Sequence, residues 1–181
     1  NQIYLDKNHQ LKNLKGNFNL ADKGLEKANL SARFANKGEF KLTISSNQNK
    51  KITTLTLDKA EPIIKRYRFI KGFEEGVLDF YSSKKGNLSK STLKIYDFKL
   101  KELPLLTKIL TLASLQGIAD LLSGEGIRFD EFEMNFQTQN DLITIQEIYS
   151  IGPAISILMD GYIEKNKLVS LRGTLVPATT I

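Results

Sequence analysis

Few residues in this chain are equipped for chemistry. His9 is the single histidine, and it stands beside Asn8 in an expected turn. Cysteine is absent, so disulfides, thiolate nucleophiles and thiolate metal sites are excluded. Asp130, Glu131 and Glu133 are the best carboxylate group for acid–base work or Ca²⁺ ligation. Yet Glu131 and Glu133 alternate with Phe132 and Met134, the pattern of a half-buried strand with a solvated side. The run "SGEG" (123–126) is the nearest approach to a glycine-rich phosphate cradle. It follows an expected helix instead of preceding one, the wrong polarity for anion capture. No G-x-S-x-G elbow, P-loop or H-E-x-x-H occurs. These residues point away from an enzyme, a metal centre or a cofactor site.

Charge offers a second route to function. The net charge is +6, which fits an acidic partner. The basic residues come as scattered doublets, Lys50-Lys51, Lys65-Arg66 and Lys84-Lys85, and none reaches a polybasic run. Tyr67, Phe69, Tyr81, Tyr96 and Phe98 lie near Lys and Arg, as bases stacking on a platform require. Core aromatics with flanking lysines look the same, and no nucleic-acid partner is expected.

What remains in surplus is apolar side chain, arranged mostly with a period of two. The expected one-face sets are Gly16, Phe18 and Leu20; Leu30, Ala32 and Phe34; Phe40, Leu42 and Ile44; Leu55 and Leu57; Leu78 and Phe80. Later sets are Ile143 and Ile145; Ile155, Ile157 and Met159; Val169, Leu171 and Leu175. "STLKIYDFKLK" slips phase from Leu93 and Ile95 to Tyr96, Phe98 and Leu100. "IRFDEFEMNF" slips from Ile127 and Phe129 to Phe132, Met134 and Phe136. Bulges or strong bends produce such slips. Short polar links (37–39, 47–51, 138–141 and 164–167) read as hairpin turns, which makes the chain an antiparallel meander.

Two helices interrupt it. The first covers about 60–71, with Asp58 as cap, Pro62 in the first turn and Ile63, Tyr67 and Ile70 as the buried stripe. The second covers about 104–122, roughly 30 Å if continuous. It is apolar over well more than half its circumference, through Leu105, Ile109, Leu112, Leu115, Ala119 and Leu122 among others. Lys108, Gln116 and Asp120 argue against a membrane span. Such a helix needs walls on more than one side. It is expected in or across the concave face of a curved sheet, as a plug or gate; an ordinary core helix packed on one sheet face fits the periodicity as well. At 181 residues the chain is long enough for one domain with a real core. Its opening already reads as folded strand, so an excised piece of a longer protein is expected.

At this point a family resemblance appears. "LPLLTKILTLASLQGIADLLSGEGIRFDEFEMNF" and "LITIQEIYSIGPAISILMDGYIEKNKLVSLRGTLVPA" resemble the C-terminal region of the AsmA-like family, in particular its large YhdP-type branch. The matching positions are "SLQG" (114–117), 121–127, Gly152-Pro153, Gly161 and "GTLVPA" (173–178), with "FEEGVLDF" and "STLKIYDFKLKELPLL" upstream. The likeness runs from about Asp58 to the end, is weak over the first fifty residues, and departs at Thr179, where the family pattern has an aromatic. It implies a Gram-negative envelope protein, anchored in the inner membrane and projecting through the periplasm. It implies a curved antiparallel sheet folded as a U-shaped trough that passes phospholipids between the inner and outer membranes. No catalytic residue is carried over.

The expected fold is therefore mainly β, a curved antiparallel meander forming a U-shaped trough, with one short helix and one long apolar helix packed in or across the concave face. Acyl-chain contacts are expected at Phe18, Leu30, Phe34, Phe40, Leu42, Ile44, Leu55, Leu57, Phe132, Met134, Phe136, Ile155, Ile157 and Met159. The expected partners are phospholipid acyl chains and the two membranes or their proteins. The competing expectation is a structural or interaction module of the envelope with a sealed core.

Overall fold

The computed structural model describes the whole chain except residues 1, 6, 22–23, 36–37, 48, 68–69, 102–125 and 178–181. The described residues form one antiparallel sheet whose strands lie in chain order, β1 to β11. They are β1 (Gln2–Tyr4), β2 (Gln10–Ala21), β3 (Gly24–Phe34), β4 (Glu39–Asn47), β5 (Lys50–Leu57), β6 (Phe73–Lys85), β7 (Leu88–Leu100), β8 (Ile127–Gln139), β9 (Leu142–Ile151), β10 (Ile155–Glu164) and β11 (Leu168–Pro177). The sheet does not close: β1 and β11 are its two edges. Extensive strand contacts run only between chain neighbours. This is the meander that short polar links and period-two alternation predict. The tight turns at Gly86, Asn140 and Asn166 take left-handed backbone, φ 58°, 54° and 59°, which suits glycine and asparagine.

Registers hold the alternation in step across the sheet. One row runs Ala32, Phe40, Leu57, Leu78, Ile95, Phe132, Ser150, Ile157, Leu175, each directly opposite the next. The neighbouring row on the other side of the sheet runs Ser31, Lys41, Thr56, Asp79, Lys94, Glu133, Tyr149, Leu158, Thr174. The first row is apolar but for Ser150 and the second polar but for Leu158, which fixes the register, because a one-residue slip would exchange them.

The phase slips in β7 and β8 become a shared kink. Pairing of β6 with β7 and of β7 with β8 steps over Gly76, Asp97 and Asp130 at one level, with no change of register. Asp97 has φ 50° and Glu75 and Gly76 have φ 63° and 82°. Leu93, Ile95, Phe98 and Leu100 then all join the apolar cluster, as do Ile127, Phe129 and Phe132. Tyr96 does not follow them: it pairs with Glu131. A second slip in β9 is a bulge, where Asn135 faces Glu147 but Phe136 faces Ile145.

Above the kink sits the helix α1 (Glu61–Tyr67). It is shorter than the expected 60–71. Its buried side is Ala60, Pro62 and Ile64, an i, i+4 pair about one turn. The expected stripe is corrected: Tyr67 and Ile70 are exposed. Asp58 does not cap the helix either. Its Oδ2 accepts the Glu39 N–H at 2.8 Å, tying the β3–β4 link to the end of β5. Among the described residues α1 is the single helix. The helix expected over 104–122, with Leu105, Ile109, Leu112, Leu115, Ala119 and Leu122, lies outside the described residues.

Candidate functional site

The apolar face gathers every strand residue expected to contact acyl chains. Phe34, Ala32 and Leu30 alternate on β3, and Leu30 faces Leu42, which faces Leu55. That row continues through Phe80, Leu93, Met134, Ile148 and Met159. A third row runs Phe18, Ala28, Ile44, Thr53, Ser82, Ser91, Phe136 and Ile145. Ile155 and Ile157 hold the same side of β10. The sheet therefore brings together Phe18, Leu30, Phe34, Phe40, Leu42, Ile44, Leu55, Leu57, Phe132, Met134, Phe136, Ile155, Ile157 and Met159.

Burial divides this face. Near α1 it is sealed: Leu57, Ala60, Phe73 and Ile155 are 0% exposed. Four rings pack there. Phe98 stacks on Phe73 at 5.4 Å and on Phe129 at 5.3 Å, and meets Phe132 edge-on at 6.4 Å. Such contacts exceed area burial by about 0.5–1.5 kcal/mol each. One row further from α1, Leu30, Leu42, Leu55, Phe80, Leu93, Met134, Ile148 and Met159 are all half-buried. Phe18, near the N-terminal edge, is 64% exposed. Phe34, Leu57 and Ile155 are therefore core, while the middle row offers apolar surface.

Leu78, Phe80, Leu93, Ile95, Ile145 and Ile148 complete these rows without having been singled out as contacts. Their alternation is visible in "EGVLDFYSS" and "STLKIY", but their place between other apolar residues follows only from the register. Ile148 also lies beyond the β9 bulge, which breaks the alternation.

The polar face carries a hydrogen-bonded network. The Tyr149 hydroxyl donates to Glu131 Oε1 at 2.8 Å and reaches Glu133 Oε2 at 3.2 Å. Lys94 Nζ lies 2.7 Å from Glu133, Asn135 Nδ2 donates to Glu133 Oε1 at 2.8 Å, and Thr92 donates to Asn135 Oδ1 at 2.7 Å. The Lys94 and Asn135 hydrogen bonds hold the Glu133 carboxyl below its usual range. Hydrogen bonding to Glu131, then desolvation, pushes the Tyr149 hydroxyl up. The expected solvated face of Glu131 and Glu133 is thus an ordered brace over β7, β8 and β9. With both carboxylates engaged, it presents no free acid–base pair.

A cavity of about 450 Å³ opens beside α1, lined by His9, Asp58, Glu61, Glu75 and Asp97 among others. Three of these carboxylates are occupied: Asp58 by the Glu39 N–H, Glu61 by Lys65 Nζ at 2.6 Å and the Glu75 N–H at 2.8 Å, and Glu75 by Arg128 at 3.0 and 3.2 Å. Among the described residues no His, Asp and Glu group has the arrangement of a metal site, and no helix is long and apolar enough to cross a membrane.

Comparison of the chain with protein-family models, with curated proteins and with solved structures found no match.

Proposed function

We propose that this sheet is a non-enzymatic lipid-binding segment, holding phospholipid acyl chains along its apolar face. The observation that carries the reading is the half-buried middle row, Leu30 through Met159, which continues unbroken over eight strands of an open sheet. Moving an acyl chain through water exposes methylenes at about 0.8 kcal/mol each. A row of similar apolar side chains lowers that cost without a deep well at any one step, because the attraction is non-directional. In this reading the sheet curves into a U-shaped trough with the 104–122 segment as plug or gate. In the same reading, drawn from the resemblance of the chain from about Asp58 onward to the AsmA-like family, the segment works in the periplasm of a Gram-negative cell as part of an inner-membrane-anchored bridge to the outer membrane. No cofactor is required.

The test is direct. The chain is purified, its lipid content is measured by native mass spectrometry, and a photo-reactive residue is placed at Met134 or Ile148. Phospholipid adducts at these positions are expected. A folded protein that carries no lipid and crosslinks none in the presence of phospholipid vesicles overturns the reading. The sealed cluster around Leu57, Phe73 and Ile155 favours one alternative, an envelope scaffold module with a closed core, and that module would crosslink protein at Met134 and not lipid.

A further inference from the structure

The lysine doublets that look scattered in the sequence meet in the sheet. Lys50 stands directly opposite Lys85, and Lys51 directly opposite Lys84. Like charges in this position repel. None of the ion pairs among the described residues uses any of the four. Lys51 and Lys84 alternate with Thr53, Leu55, Leu57 and Ser82, Phe80, Leu78, so they stand on the apolar face, while Lys50 and Lys85 stand on the polar face. Lys51 Nζ donates to the Leu25 carbonyl of β3 at 2.6 Å, which carries its head over β4 and away from Lys84, and two of its three protons stay open to another acceptor. Glu26 is the carboxylate of β3 at this end, and β4 separates that strand from Lys51.

Polarity along the three central strands then changes in steps. The outermost level of this face is cationic, Lys51 and Lys84. The next is hydroxylic: Thr53 faces Ser82, which faces Ser91, and Ser91 donates to Ser82 at 2.9 Å. The third is apolar, Leu55, Phe80 and Leu93, and the fourth is Leu57, Leu78 and Ile95. Hydroxyls occupy the second level only here; on β4 and β8 the same row holds Ile44 and Phe136. The fourth level is core, with Leu57 0%, Leu78 7% and Ile95 2% exposed, so the third is the apolar level open to a ligand.

We infer that Lys51 and Lys84 form a phosphate-binding site for the headgroup of a phospholipid, whose ester region lies over Thr53 and Ser82 and whose tails run along the half-buried row of Leu55, Phe80 and Leu93. The inference rests on the proposed binding of acyl chains and adds to it an orientation and a headgroup class. The order of charge, hydroxyl and hydrocarbon down these strands repeats that of one lipid leaflet. A phosphate at this end accepts from Lys84 and from the remaining Lys51 protons.

The experiment compares two fluorescent ligands with identical tails, a phosphatidic acid and a diacylglycerol, on the 181-residue chain. The phosphatidic acid is expected to bind about tenfold more tightly. Lys51→Gln with Lys84→Gln should remove that preference while leaving diacylglycerol binding unchanged. Lys50→Gln with Lys85→Gln, on the other face, should leave the preference within about twofold. Equal binding of both ligands by the unsubstituted chain overturns the headgroup site and spares the acyl-chain reading. Binding of neither overturns both. Equal effects of the two double substitutions reduce the site to general surface charge and overturn it. Displacement of phosphatidic acid by low-millimolar inorganic phosphate assigns the lysines to the free anion and overturns the lipid assignment.

Discussion

The ring of Phe98 lies 5.3 Å from that of Phe129 and is tilted 19° from it, although a kink separates each of them from the regular part of its strand. The stack is possible because β7 and β8 skip Asp97 and Asp130 at the same level. Phe98→Ala should therefore cost about 3–5 kcal/mol. Leu93→Ala, on the half-buried middle row, should cost well below that range. Urea unfolding of both variants checks the contrast, and equal losses would place the core elsewhere.

Gly76 holds the kink in β6. Its φ is 82°, and a Cβ there would lie 3.0 Å from the Phe73 ring and 3.1 Å from Phe98 Cβ. Gly76→Ala should destabilise by about 1–2 kcal/mol from backbone conformation alone, with crowding of the ring stack added. A drop in the denaturant midpoint at unchanged slope is the expected result.

Replacing one lysine of the opposed pair separates stability from binding. Lys84→Glu puts opposite charges across β5 and β6 in place of like ones. It should raise stability by about 0.2–1 kcal/mol while abolishing any preference for phosphate-bearing lipid. A thermal melt and a lipid titration on the same sample check both halves, and a lower melting temperature would argue against the register.

The brace on the polar face should titrate at both extremes. Glu133 has a lowered value, held by Lys94 and Asn135. Its contribution is present above the ordinary carboxylate value near 4.5 and fades as the pH falls through the lowered one. Tyr149 has a raised value, from its hydrogen bond to Glu131. Its contribution is present below the ordinary tyrosine value near 10 and fades as the pH rises through the raised one. Glu133→Gln should flatten the acid limb of stability against pH, and Tyr149→Phe the alkaline limb. Urea midpoints across the pH range read both.

Much of the sheet was legible in the chain. The alternation of Phe40, Leu42 and Ile44 with Lys41 and Thr43 is local, and it sets both strand and face. The slips after Ile95 and Phe129 were visible for the same reason. The helix was less so. Ile63, Tyr67 and Ile70 satisfy helical spacing as well as Ala60 and Ile64 do, and the contact with β6 decided between them. Asp58 has the residue type of a cap, yet the Glu39 N–H lies within its reach and takes the carboxylate. Neither choice is encoded within a helical turn.

Taken alone, the sequence determined the antiparallel meander, the one-sided apolar pattern and the poverty of catalytic groups, because each depends on residues close together in the chain. Only the tertiary structure decided which strand levels coincide. That brought Lys51 against Lys84, lined Thr53 up with Ser82 and Ser91, and parted buried Leu57 from half-buried Leu55. The reason is that register is a relation between strands, set by turn length and by the cost of exposing an apolar row, and no window of neighbouring residues contains it.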